Sequence, residues 1–120
     1  MNAVVRLSDH RRKAPFLHFS RPELNRLLGL YSARVAKGEW RDYAINHGPE
    51  GASFMVFRHS HENPLFVISK LRPGTKARTK TYNPRQGQYL VTSRQLKLSQ
   101  GHSLEDVLEV FDRPIKLVSS

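Results

Sequence analysis

At Gly38 the spacing of apolar residues changes from helical to alternating, and that switch fixes the order in which this chain is built. Before it, Leu24, Leu27, Leu28, Tyr31 and Val35 recur at helical spacing on one face, while Arg26, Ala33 and Lys37 occupy the other, with Arg34 at the flank. Ser20-Arg21-Pro22-Glu23 has the spacing of a capping box, in which the serine side chain and the glutamate side chain each satisfy the other's backbone N–H. Pro22 falls in the first turn, where a missing N–H does no harm. Phe19 and Leu24 stand at the two positions of a hydrophobic staple, and Gly38 supplies the C-terminal stop.

After Gly38 the pattern predicts strands over residues 40–46, 53–59 and 65–71, joined by the turn-forming stretches 47–51 and 61–64. The middle one is apolar on both faces, as a central strand should be. Residues 88–93 and 95–99 offer two further short strands. Ser103 then caps a short helix whose apolar face is Leu104, Val107, Leu108 and Phe111, and Pro114 ends it. Residues 16–19 and 115–118 can add extended segments at the two ends. The expected fold is α+β: an antiparallel sheet of about five or six strands, with one long N-terminal helix packed on a face and a short C-terminal helix.

A chain of 120 residues has room for one core, so residues 16–120 are expected to form a single domain behind a flexible basic arm, residues 1–15, that carries Arg11, Arg12 and Lys13. The absence of cysteine removes disulfides, thiolate metal sites and cysteine nucleophiles together. The longest apolar runs, residues 54–57 and 65–68, are far short of the ~20 residues that cross a bilayer. No membrane insertion and a cytoplasmic location are expected.

Charge is the most uneven property of the chain. Twenty Lys and Arg face ten Asp and Glu, a formal charge of +10. Between Glu62 and Glu105 there is no acidic residue, while the interval holds Lys70, Arg72, Lys76, Arg78, Lys80, Arg85, Arg94 and Lys97. Its centre is a long loop at 72–88, broken by Pro73, Gly74, Pro84 and Gly87. Alternating Lys76, Arg78 and Lys80 can each neutralise a phosphate, and Tyr82 can stack on an exposed base. This reading makes the chain a noncatalytic binding protein that contacts nucleic acid, RNA or DNA, through the loop and the N-terminal arm. The plainer reading is a solvated loop, or one paired with the acidic C-terminal helix, where Glu105, Asp106, Glu109 and Asp112 lie close together. An adaptor or accessory subunit that binds a protein partner through a sheet edge or the first helix is the alternative function.

No catalytic constellation competes with these. His59-Ser60-His61 has the two-residue spacing that turns both imidazoles to one side of a strand, with Glu62 and His47 in neighbouring turns as further ligands, yet residues 65–68, where a downstream carboxylate would be wanted, are wholly apolar. There is no nucleophile elbow, no glycine-rich phosphate loop opening a helix, and no marked pair of carboxylates; Asp42 and Glu62 both fall near strand ends. No enzyme activity, cofactor or metal is expected.

The segment F-S-R-P-E-L-N-R-L-L-G-L-Y-S-A-R-V-A-K-G-E-W-R-D-Y-A-I, residues 19–45, resembles a family of small alphaproteobacterial proteins known as DUF2794, a domain of unknown function. F-M-V-F-R at 54–58, P-L-F-V-I at 64–68 and G-H-S-L-E-D-V-L-E-V-F-D at 101–112 fit the same family, so the resemblance covers about residues 16–118. It implies a bacterial cytoplasmic protein and brings no activity, cofactor or site residues with it. It also implies that the stretch between the third and fourth strands is often shorter and less basic than here.

Overall fold

The computed structural model describes residues 17–59, 63–74 and 82–112. Helix α1 spans Arg21–Ala36 and is followed by β1 (Asp42–His47), β2 (Gly51–Phe57) and β3 (Phe66–Leu71). A short 3-10 helix, Pro84–Gln86, precedes β4 (Tyr89–Ser93) and β5 (Leu96–Gly101). Helix α2 (Leu104–Leu108) runs into a 3-10 turn at Glu109–Asp112. The five strands pair in chain order, all antiparallel, so the α+β meander read from the sequence is the architecture found. The extended segment expected at 115–118 and the arm at 1–15 lie outside the described residues.

Helix α1 begins with the predicted box. Ser20 Oγ accepts the Glu23 N–H at 3.2 Å and Glu23 Oε1 accepts the Ser20 N–H at 2.7 Å. Phe19 is buried and Leu24 packs against the same core, which completes the staple. At the other end Gly38 takes a φ of 76° and donates its N–H to the Val35 carbonyl, a left-handed exit that glycine makes without a Cβ penalty.

The buried stripe differs from the one expected. Leu27 and Leu30 face the core, whereas Val35 is 40% exposed. Leu24, Leu28 and Tyr31 lie at the margin. Residues 23, 27, 30 and 34 form the line that meets the sheet, so the stripe is apolar in the middle and ends in Glu23 and Arg34. Both charges are tied down: Arg34 donates to the Phe111 carbonyl and to Glu39 Oε1, and Glu23 holds Lys70 and Tyr89. Simple apolar periodicity does not register a stripe that finishes in bonded charges.

Register places Phe54 opposite Ile68 and Ile68 opposite Val91. Ala52, Val56, Phe66, Tyr89 and Ser93 share that face with them, and both helices cover it. Phe54, Leu27 and Ile68 are fully buried, each worth about 2 kcal/mol relative to exposure. Trp40, Phe66 and Phe111 close one end with edge-to-face and tilted contacts at centroid distances of 5.1–6.1 Å. On the other face Leu90 is also buried, and Gln100, its partner on β5, explains how. The Gln100 amide donates to the Asn83 and Gly87 carbonyls at 2.7 and 2.8 Å, and its oxygen accepts the Asn83 N–H. The far limb of the long loop is thereby pinned to β5, beside Leu90.

Candidate anion site at one end of the sheet

Six of the cations singled out by sequence, Arg11, Arg12, Lys13, Lys76, Arg78 and Lys80, lie outside the described residues. The others fall into two groups. Lys70 points inward: it stands on the core face of β3, and its ammonium binds Glu23 Oε1 at 2.8 Å and the His18 carbonyl at 3.0 Å, with the side chain only 14% exposed. Arg72 donates to the Pro49 carbonyl, and Lys97 donates to Gln86 and Gln100. Tyr82 is half-buried beside the pinned limb. Arg85 and Arg94 are exposed and, among the described residues, neither has an ion-pair partner. The acidic C-terminal helix does not take up the loop's described cations; its Glu105 pairs instead with Arg26 of α1.

Among the described residues Glu23 is the most heavily used carboxylate. One oxygen accepts from Ser20 and Lys70, and the other from the Tyr89 hydroxyl. Burial pushes its pKa upward, but the hydrogen bonds from Lys70, Tyr89 and Ser20 outweigh burial and hold it below the ordinary 4.5. Burial, with the Glu23 carboxylate beside it, pushes the Tyr89 phenol well above its usual range. This cluster anchors α1 to β3 and β4. Every oxygen in it is committed, which leaves it no capacity for a ligand.

A second arrangement lies where β2 and β4 end. A cleft of about 450 Å³ is lined by Arg58, His59, Asn63, Pro64, Leu65 and Arg94. Its floor is rigid. The Leu65 N–H donates to the Val56 carbonyl at 2.7 Å, and the Leu65 carbonyl accepts the Ser93 hydroxyl at 2.9 Å. Leu65 thus clamps the ends of the strands on either side of it. Arg58 follows β2 and Arg94 follows β4, each one strand from β3, so their backbones stand about 10 Å apart across it. The nearby Glu39 is already engaged: the Arg34 hydrogen bond, with help from Lys37 and Arg58, lowers its pKa.

Sequence reasoning chose Arg94 for its place in the acid-free interval, weighed His59 only as a metal ligand, and missed Arg58 and Asn63. A signal existed. In an antiparallel meander, residues just past the ends of the second and fourth strands fall at the same edge of the sheet. Of the paired histidines, His61 lies outside the described residues, and among the described residues no group of three or more His, Asp or Glu is placed to hold a metal ion. Among those residues no helix is long and apolar enough to cross a membrane.

No curated protein and no solved structure matches the chain. One family model does, over residues 17–108, which runs from the bridge of Leu17 with Gly48 to the last residue of α2. The chain belongs to the family described as protein of unknown function, DUF2794.

Proposed function

We propose that this chain is a noncatalytic nucleic-acid-binding protein whose basic loop grips the phosphate backbone. The observation that carries the reading is the state of the loop's far limb. The interval after Glu62 has no carboxylate of its own until Glu105, and Arg85 stands exposed on a limb held by Gln100. A fixed base with an outward cation costs less ordering on binding than a wholly free segment. Tyr82 at the root of the limb supplies a ring for stacking. The setting that goes with this reading is the cytoplasm of an alphaproteobacterium; it rests on the family resemblance and the cysteine-free composition.

The test is fluorescence anisotropy with single-stranded 20-mers of RNA and DNA across a salt series. Binding should fall steeply with salt. Arg85→Gln should reduce the salt slope by about 1, and Lys76, Arg78 and Lys80 changed together to Ala should reduce it by about 3. No retention of either strand at low salt would remove the proposal.

A protein-binding adaptor is the second reading, favoured by the outer edge of β1. No strand pairs with that edge among the described residues, and Tyr43 is exposed on it. A stable partner that survives nuclease treatment in a pull-down would favour the adaptor.

A further inference from the structure

We infer that the outer edge of β1 is an interface for a second copy of this chain, joining two sheets across Ile45. The inference takes for a like partner the edge that the adaptor reading gives to a different protein, and it does not rest on the nucleic-acid reading. The ladder fixes which backbone groups face outward. Gly48 donates its N–H to the Gly51 carbonyl and Arg72 donates its own to Glu50, so in β2 the odd-numbered residues bond β1 and the even-numbered ones bond β3. On β1, Asp42, Ala44 and Asn46 therefore bond to β2, while Tyr43, Ile45 and His47 turn their N–H and carbonyl groups to the open edge. That edge is closed at both ends. The Tyr31 hydroxyl donates to the Arg41 carbonyl at 2.9 Å, and the Leu17 N–H donates to the Gly48 carbonyl at 3.3 Å. Between them Asp42 Oδ1 accepts the Tyr43 N–H at 2.8 Å. Among the described residues nothing bonds the Tyr43 carbonyl, the Ile45 N–H and carbonyl, or the His47 N–H.

These free groups complement themselves. With a second copy running antiparallel about a two-fold axis at Ile45, each Ile45 N–H meets the other Ile45 carbonyl. Each His47 N–H meets the other Tyr43 carbonyl, and no existing bond breaks. A strand of a different protein would need no such symmetry. The side chains of the same residues stand on the core face, where Tyr43 is 38% exposed with its ring 4.8 Å from that of Tyr31. Val35, one turn further along α1, is exposed as well. A second sheet paired at this edge covers that apolar rim and brings the two half-buried Ile45 side chains together. β1 also lacks the devices that keep sheet edges apart: it has no lysine, no proline and an unbroken register with β2. The acid-free interval runs from β3 to β5, so pairing at β1 leaves the most basic parts of both copies outermost.

Sedimentation velocity of the full chain from about 5 µM to about 1 mM should show a monomer–dimer equilibrium with a Kd of roughly 10–100 µM, as suits a small interface. The dimer should grow with salt, as screening relieves the repulsion between two chains of charge +10. Binding of the 20-mers falls with salt, so the two readings fail separately. Ile45→Pro removes an outward N–H and no bond to β2, so it should stay folded and weaken dimerisation at least about tenfold. Because the chain has no cysteine, single cysteines report the contact directly. The axis puts the two Ile45 Cα atoms about 5.5 Å apart, within disulfide range. Ile45→Cys should therefore crosslink under mild oxidation far faster than Leu96→Cys, whose 68% exposure on the opposite edge of the sheet sets the collision rate. Should Ile45→Pro misfold, amide exchange at Ile45 in the wild type carries the test, since it must slow as protein concentration rises. A chain still monomeric at about 1 mM overturns the inference. Slow exchange at Ile45 in that monomer assigns the edge to the chain's own residues, and fast exchange leaves it to a different protein. A dimer indifferent to Ile45→Pro, or one in which Leu96→Cys crosslinks faster, also overturns it.

Discussion

A single carboxylate does four jobs at the start of α1. Glu23 closes the capping box, neutralises the half-buried Lys70, accepts the Tyr89 hydroxyl, and so ties the first turn of the helix to two strands. Glu23→Ala removes a cap interaction and leaves Lys70 facing the core uncompensated. The expected loss is about 3 kcal/mol, read from denaturant unfolding. Adding Lys70→Met should cost less than the sum of the two single changes, because the stranded ammonium goes with it. The pH dependence follows from the same contacts. The pKa of Glu23 is depressed in the folded state, so its contribution is complete above the ordinary carboxylate range and drains away as pH falls through the lowered value. For Tyr89 the folded pKa is raised above 10.0; stability is complete below that pH and declines above it, as the unfolded chain ionises first. Glu23→Gln should flatten the acid limb of the stability–pH curve. An acid limb unchanged in that variant would mean that other carboxylates set it.

Among the elements, the strands and α1 were readable because each carries its own local signal. The box at Ser20–Glu23, the stop at Gly38 and the alternation through β2 all act over a few residues. The tertiary bonds were not readable, since no periodicity announces that Gln100 will reach Asn83 and Gly87 or that Arg34 will reach Phe111. The long loop shows the difference: its composition marks it as irregular, yet its far limb is anchored by the Gln100 amide and by Lys97, which reaches Gln86. Lys70 fails for a related reason. It belongs to the acid-free interval by sequence, but its register opposite Ala52 and Tyr89 turns it toward α1. The anchor can be tested at Gly87. Its φ is 119°, and a Cβ there would lie 2.0 Å from the Gly101 carbonyl oxygen, so the backbone must shift. Gly87→Ala should destabilise by more than about 2 kcal/mol. Gln100→Ala should be milder globally, yet speed amide exchange at Asn83, whose N–H bonds the Gln100 oxygen. Exchange at Asn83 as slow as in the wild type would show that the limb is held by something other than that amide.

At the scale of the whole molecule, the question is whether the excess charge is used internally or left to face outward, and salt distinguishes the two. Among the described residues the ion pairs are Arg26–Glu105, Arg34–Glu39 and Lys70–Glu23. The first two are partly exposed and worth about 0–1 kcal/mol each, so screening them forfeits little. The third is half-buried and is screened much less. Against these stands a net +10 on 120 residues, eight of whose cations fall in one acid-free interval and repel one another. Raising ionic strength from about 20 to about 300 mM shortens the Debye length from roughly 20 to roughly 6 Å, which suppresses that repulsion while leaving the core untouched. The melting temperature should therefore rise over this range, and a polyanion such as heparin at low salt should raise it further by binding the folded state. The Arg58→Gln variant, with one cation fewer, should start higher and gain less from salt. A melting temperature that falls on adding salt would mean the cations are already engaged in stabilising pairs within the chain, and a polyanion would then have no outward charge to meet.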